Sequence, residues 1–370
     1  MQKVHVVLGE RSYDIIIEGG SLSRVGSFVR ECYGEELSRV CVISSRTVAD
    51  LYLETVCNSL SEMGYDNVRI VIPDGEEQKT LDTYERITTQ LIELRFERKS
   101  LIIPLGGGVV GDVSGFVAAT FLRGIPFIHV PTTIVAQVDS SIGGKVAVNH
   151  PLGKNLIGSF YQPGGVWIDT RVLSTLEHRE VVSGMAEAIK HAIIRDEGFF
   201  AFYEENLESI MSFEATDDIM ESFIAWNCRI KAEIVSADER ESGLRSILNY
   251  GHTVGHALET VTDYGRFTHG DAVILGMFAA GRIAVRKGLM SEHDLNRQNR
   301  LLERVGINRE IEGITRDDMI EAMTRDKKVT GGRVRFALPH GIGTVKIHDD
   351  VTWDEIGDGI EYMIEYASGK

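Results

Sequence analysis

His252, His256 and His269 fall in one short stretch, LNYGHTVGHALETVTDYGRFTH, and neutral imidazole is the commonest metal ligand among side chains. Four residues apart on a helix, His252 and His256 share one face about one turn apart. His269 follows a glycine-containing turn and precedes the apolar run DAVILGMFAAGRIA. Three imidazoles held on two helices can seat a divalent cation. Position alone permits two ligand sets. One is the His252/His256 pair on a single face. The other takes His252 and His269 with a carboxylate from elsewhere, for which Glu187 in the apolar segment GMAEAIKHA is the best candidate. Glu187 and His191 form a further i, i+4 pair, whereas His5, His129, His178, His293, His340 and His348 are scattered and read as structural.

A second chemical feature is SLIIPLGGGVVGDVSGFVAATFL, which sets Gly106, Gly108 and Gly111 after an apolar strand and before a helical run. Glycines there let the backbone approach a pyrophosphate, and a helix N-terminus stabilises its charge. The acid that usually grips the ribose, about 20 residues on, is missing: Pro131-Thr132-Thr133 stands in its place. Asp112, Thr132 and Thr133 are the polar groups available, and PDGEEQK (73–79) offers a carboxylate and an ammonium on a second turn.

Cations form the third feature. QVDSSIGGKVAVNHPLGKNLIGSFYQP (137–163) reads as a long site loop containing Asp139, Lys145, Lys154 and Asn155. Arg123, Lys190, Lys231, Arg245, Lys327 and Lys328 add positive charge. A single lysine is ordinarily solvated surface. Lys190 differs, because an ionic group in an otherwise apolar helix needs a partner or a ligand. Together the cations suit a small, multiply anionic substrate.

The elements that must position these groups divide the chain. At 370 residues it exceeds one comfortable core. Short β-rich runs at 4–8, 13–17, 39–43, 68–72, 101–105, 127–131 and 166–169 alternate with amphipathic stretches such as 47–63 and 80–94, which implies βαβ units and a mostly parallel sheet. From about residue 178, 3.6-residue periodicity dominates at 181–195, 219–236, 247–262, 271–287 and 295–305, with a hairpin expected at 333–347. The expected domains are therefore 1–177, α/β, and 178–370, mostly α-helical. A net charge of −16 argues against nonspecific nucleic-acid binding. No apolar run reaches bilayer length, residues 1–20 lack a signal-peptide core, and the four cysteines form no C-x-x-C pair, so a cytoplasmic protein with reduced thiols is expected.

Five segments together resemble the 3-dehydroquinate synthase family of sugar-phosphate cyclases: PLGGGVVGDVSGFVAATFLRG, VPTTIVAQVDSSIGGKVAVNHPLGKN, GMAEAIKHA, DERESGLRSILNYGHTVGHALE and THGDAVILGM, with RDKK near residue 327. The resemblance covers nearly the whole chain. It implies a Rossmann-like NAD-binding domain, a helical metal- and substrate-binding domain, and an active site in the cleft between them. It implies conversion of 3-deoxy-D-arabino-heptulosonate 7-phosphate, a phosphorylated sugar acid, to 3-dehydroquinate and phosphate, a step of the shikimate route. The stages are transient oxidation by NAD, phosphate elimination, re-reduction, ring opening and aldol closure. The resemblance further implies Glu187, His252 and His269 as ligands of a divalent metal, zinc or cobalt. His256 becomes a phosphate contact, joined by Lys145, Asn155, Asn249 and Lys327 or Lys328. Arg245 and Lys231 hold the carboxylate; Asp139, Lys190 and Glu241 hold hydroxyls. Arg123 reaches a neighbouring subunit, so a homodimer is implied. Glu76, Lys79, Gly107, Gly108, Asp112, Thr132, Thr133, Lys145 and Lys154 match nucleotide positions.

This sequence departs from the family at the end of the first nucleotide-binding strand, where Ser44-Ser45-Arg46 replaces the usual Asp or Asn. That weakens the expected grip on the adenosine ribose. The rivals are another sugar-phosphate cyclase and a metal-dependent alcohol or glycerol dehydrogenase. Retention of Arg245 and Lys231 favours a carboxylated substrate over the first, and the wealth of anion-binding residues disfavours the second.

Overall fold

Strands β1 (Gln2–Val6) and β2 (Tyr13–Ile17) pair antiparallel in the computed structural model, which describes residues 1–263, 265–325 and 334–369. Helix α1 (Val25–Tyr33), β3 (Val40–Ser45), the short α2 (Arg46–Val48), α3 (Glu54–Glu62), β4 (Asn67–Ile72), α4 (Leu81–Glu93), β5 (Leu101–Gly106), α5 (Gly108–Thr120) and β6 (Val130–Pro131) follow. Their sheet is parallel, in the order β4-β3-β5-β6. Because side chains alternate along a strand, β3 and β5 feed two cores. Val40, Val42, Leu101 and Ile103 pack with Phe28 and Val29 of α1 and Val56 and Leu60 of α3. Cys41, Ile43 and Ile102 pack on the other face with Ile87 and Leu91 of α4 and Val113 and Val117 of α5. Two buried faces explain why these strands read as continuous apolar runs.

The long loop expected at 137–163 is a correction. After a π-turn at Ala136–Ser140, β7 (Lys145–His150) and β8 (Gly153–Phe160) form an antiparallel hairpin with a register shift near Val148. Val146 and Val148 alternate inward and decide the matter; the glycines disguised the period. β9 (Val166–Ile168) then pairs parallel with β2.

Next come α6 (His178–Arg195) and α7 (Glu197–Met211), then α8 (Asp217–Ala237). The chain resolves into two compact units, Met1–Leu176 with Thr216–Arg240, and Glu177–Ala215 with Glu241–Lys370. Thus α8, expected in the helical half, belongs to the first unit, where it packs along β1 and β2. Periodicity identifies such a helix but not the sheet it covers.

The second unit continues with α9 (His252–Val261), α10 (His269–Arg286), α11 (Glu292–Glu303), α12 (Arg316–Arg325), the hairpin β10 (Phe336–Pro339) and β11 (Val345–His348), and α13 (Trp353–Ala367). The expected helix 247–262 is in fact two pieces: a 3-10 turn at Leu244–Asn249 and α9, separated by Gly251 in the left-handed region (φ 80°). α10 is buried along nearly its whole length and receives α9 at close range. A Cβ on Gly276 would lie 1.9 Å from the Gly251 carbonyl oxygen. Gly276→Ala should therefore push the two helices apart and cost about 1–3 kcal/mol. Thermal unfolding checks this, and an unchanged midpoint would contradict the packing described.

Candidate active site

Three helices of the second unit bring the expected metal ligands together. α6 carries Glu187, α9 begins at His252, and α10 begins at His269, where a Thr268–Asp271 capping box fixes the helix start. Glu187 Oε1 lies 3.4 Å from His252 Nε2 and 3.6 Å from His269 Nε2. Around an ion with ~2.0–2.1 Å bonds, a tetrahedron sets its ligand atoms ~3.3–3.4 Å apart. The carboxylate and two imidazoles thus fit a tetrahedral ion in spacing and in donor chemistry. His252, His256 and His269 also gather one ring nitrogen each within 4.8 Å of one another. That all-histidine group is looser and supplies no negative charge to a dication.

The protonation state of His252 favours ligation as well. Burial, then the charge of Lys190, hold His252 well below the usual imidazole range despite the opposing pull of Glu187. His252 Nδ1 faces the Tyr250 carbonyl at 3.1 Å, so the tautomer assigned from its partners carries the proton on Nδ1 and turns the Nε2 lone pair toward Glu187. Tyr250 is itself anchored by a 2.7 Å hydrogen bond from its hydroxyl to Gln298. His269 Nδ1 lies 3.4 Å from Glu259 Oε1. Burial pulls His269 down, but the Glu259 bond and the Glu187 charge outweigh it and raise it overall. Lys190 pairs with Glu187 Oε2, and both are almost fully buried.

Near these ligands in sequence stand the expected anion contacts of this unit. Arg245 is only 2% exposed in its turn. Asn249 donates to Glu241 Oε1 at 3.1 Å, and Glu241 holds a left-handed φ of 57°. The His256 ring centroid is 5.4 Å from that of His252. Lys327 and Lys328 lie outside the described residues.

In the first unit the glycine turn sits at the carboxyl edge of the parallel sheet, where such sheets bind ligands. Gly107 is extended and caps α5, and a Cβ there would lie 3.0 Å from Thr133 Cγ2. Gly108, Thr132 and Thr133 complete the edge between β5 and β6. Asp112 takes an ion pair from buried Lys79 at 2.5 Å; burial raises the Asp112 carboxyl and the lysine opposes that rise. Asn149 donates to Glu76 Oε1 at 2.7 Å, and its own Oδ1 accepts the Asn155 N–H at 2.9 Å. The β7–β8 hairpin is thereby tied to the 76–79 turn. Lys231 donates to the side chain and carbonyl of Asp139. Arg123, Lys145 and Lys154 are exposed.

Family models match the chain in two consecutive pieces, 3-dehydroquinate synthase N-terminal over residues 69–183 and C-terminal over 184–329. The chain belongs to the 3-dehydroquinate synthase family. Members of the 3-dehydroquinate synthase family similar to it include a protein of Pelobacter propionicus, 48% identical over 93% of this chain and 94% of its own. Another, from Thermodesulfovibrio yellowstonii, is 44% identical over 96% and 98%. Among solved structures, 2-deoxy-scyllo-inosose synthase complexed with carbaglucose-6-phosphate, NAD+ and Co2+ is 30% identical, with a TM-score of 0.87 over 97% of this chain and 99% of that one. The expected fold class, an α/β domain followed by a mostly helical one, is the architecture found. Among the described residues no helix is long and apolar enough to cross a membrane.

Two residues escaped assignment in this 3-dehydroquinate synthase family member. Asp74, just beyond β4, accepts the Thr47 N–H at 3.2 Å and the Thr47 hydroxyl at 3.1 Å. Burial raises its carboxyl, but bonds from Ser45 and Thr47 and the nearby Arg46 leave it below the usual range. An acid therefore stands at the end of β3 although β3 itself supplies none; the parallel pairing of β3 with β4 was the signal. The other is Glu259, whose carboxylate orients His269. Glu259→Gln should weaken metal affinity about 10–100-fold, with activity recovered at high zinc. Metal titration checks this, and an unchanged affinity would show Glu259 to be mere packing.

Proposed function

We propose that the chain converts 3-deoxy-D-arabino-heptulosonate 7-phosphate into 3-dehydroquinate and phosphate, using NAD and a divalent metal, zinc or cobalt. The observation that carries this is the buried carboxylate of Glu187 facing two imidazoles at tetrahedral spacing, in a chain 44% to 48% identical to named synthases over nearly its full length. When bound, NAD takes and returns one hydride, and the dication acts as a Lewis acid toward substrate oxygens.

The chain's own residues do the rest in this reading. Glu187, His252 and His269 hold the ion. Lys145, Asn155, Asn249, His256 and Lys327 or Lys328 grip the phosphate. Arg245 and Lys231 take the carboxylate, while Asp139, Lys190 and Glu241 bind hydroxyls and fix the open chain in a productive geometry for ring closure. The first unit binds NAD: the Gly107–Gly108 backbone and α5 face the pyrophosphate, Thr132, Thr133, Asp112, Lys79, Lys145, Lys154 and Glu76 surround it, and Asp74 meets the adenosine ribose. Arg123 serves a neighbouring copy in a homodimer. Supporting this, Leu122 and Arg123 both hold left-handed φ, 50° and 70°, a strained turn of the kind kept for function.

Phosphate-release assays across candidate sugar phosphates test the reaction and the substrate together. Release from the heptulosonate phosphate should require NAD, leave no net NADH, stop on chelation and return with zinc or cobalt. Steady NADH accumulation without phosphate release would overturn the proposal in favour of a dehydrogenase.

A further inference from the structure

Asn149 carries none of the expected ligand contacts, yet it sits where the β7–β8 ladder loses its register. Val148 pairs with Ile157 and His150 pairs with Gly153, so Asn149 alone stands opposite Lys154, Asn155 and Leu156. Such a bulge bends its strand and re-aims side chains, and bulges gather beside active sites. Here the surplus residues include Lys154 and Asn155, the groups assigned above to nucleotide and phosphate. Asn155 holds a left-handed φ of 57°, a sparsely populated conformation that asparagine tolerates better than most residues. The Asn149 side chain secures it, its Oδ1 accepting the Asn155 N–H at 2.9 Å.

The other end of the same amide turns to the cofactor side. Nδ2 donates to Glu76 Oε1 at 2.7 Å, and the Asn149 backbone N–H donates to the Lys79 carbonyl at 2.7 Å. Lys79 is pinned in turn by its ion pair with Asp112 on α5. Before the bulge, Val146 and Val148 are buried with Val113 and Val117 of α5, which anchors β7. Beyond it, Lys154, Asn155 and Leu156 are exposed, and the Asn149 amide ties them back to the 76–79 turn.

We propose that Asn149 is a positioning residue that couples NAD binding to phosphate binding. A nucleotide held at Glu76 fixes the carboxylate, the carboxylate orients the Asn149 amide, and the amide sets the bulge that presents Asn155 to phosphate. This rests on the assignment of NAD to Glu76 and of phosphate to Asn155 under the proposed function. Coupling between two ligands is reciprocal, so phosphate raises the affinity for NAD by the factor by which NAD raises the affinity for phosphate. A local tie that only stiffens the hairpin is the competing account, and it predicts no linkage between the ligands.

NAD binding to the zinc-loaded full chain is measured by titration calorimetry without and with saturating inorganic phosphate. Phosphate should tighten NAD at least about fivefold in the unaltered protein and leave it unchanged in Asn149→Ala. Asn149→Asp keeps an acceptor for the Asn155 N–H but sets a second carboxylate against Glu76, so it should lose the coupling too. Unchanged circular dichroism spectra separate this loss from loss of fold. NAD affinity indifferent to phosphate in the unaltered protein, or the same tightening kept by either variant, overturns the coupling and leaves the proposed reaction standing. Failure of the unaltered protein to bind NAD at all overturns both.

Discussion

His252→Ala is expected to strip the catalytic ion from the protein and to slow phosphate release at least about 1,000-fold, a loss of about 4 kcal/mol of transition-state stabilisation. His252 has no substitute: its Nε2 is aimed at Glu187 Oε1, 3.4 Å away, and its other nitrogen is committed to the Tyr250 carbonyl. Glu187→Gln should behave similarly, since it removes the negative charge that favours a dication at a buried position. His256→Ala should differ in kind. It keeps the ion and loses turnover, because His256 then serves the substrate phosphate. Elemental analysis of the three purified variants distinguishes the ligand sets directly. An all-histidine site predicts the reverse order, with metal lost from His256→Ala and kept by Glu187→Gln, and that result would falsify the assignment.

The α/β character of residues 1–176 was legible because β3 and β5 are buried on both faces and read as unbroken apolar runs. The helical character of the second unit was legible because α6 and α10 keep their period for 18 residues each. Sequence patterns failed where the outcome depended on a partner. α8 has a clear helical period, yet nothing within it says that its apolar face covers β1 and β2. Val146 and Val148 alternate as a strand should, but the surrounding glycines gave the look of a loop. At the site, His252 and His269 were visible as residues, and only the packing of α9 against α10 through Gly276 brings them to Glu187. Asp74 was hidden for the same reason: its neighbour Thr47 is 27 positions away in sequence and adjacent only because β4 pairs with β3. Short-range spacing reports helix faces. It cannot report which strands or helices become neighbours.

Lys190→Met should bind the divalent ion more tightly than the unaltered protein while losing most activity. In the metal-free protein the ammonium of Lys190 is the buried counter-charge of Glu187. Removing it leaves a carboxylate uncompensated, which costs about 3–5 kcal/mol. A bound dication supplies the missing charge, so the penalty falls largely on the metal-free form. The same substitution removes a positive charge that repels the incoming ion. Both effects raise the metal's affinity, since whatever destabilises the empty state favours the filled one. Turnover moves the opposite way if, as proposed above, Lys190 binds a substrate hydroxyl. Thermal unfolding with and without zinc, paired with a metal titration, reads the first effect independently of activity. A midpoint lowered equally in both states, with unchanged zinc affinity, would mean that Lys190 and the metal do not share Glu187.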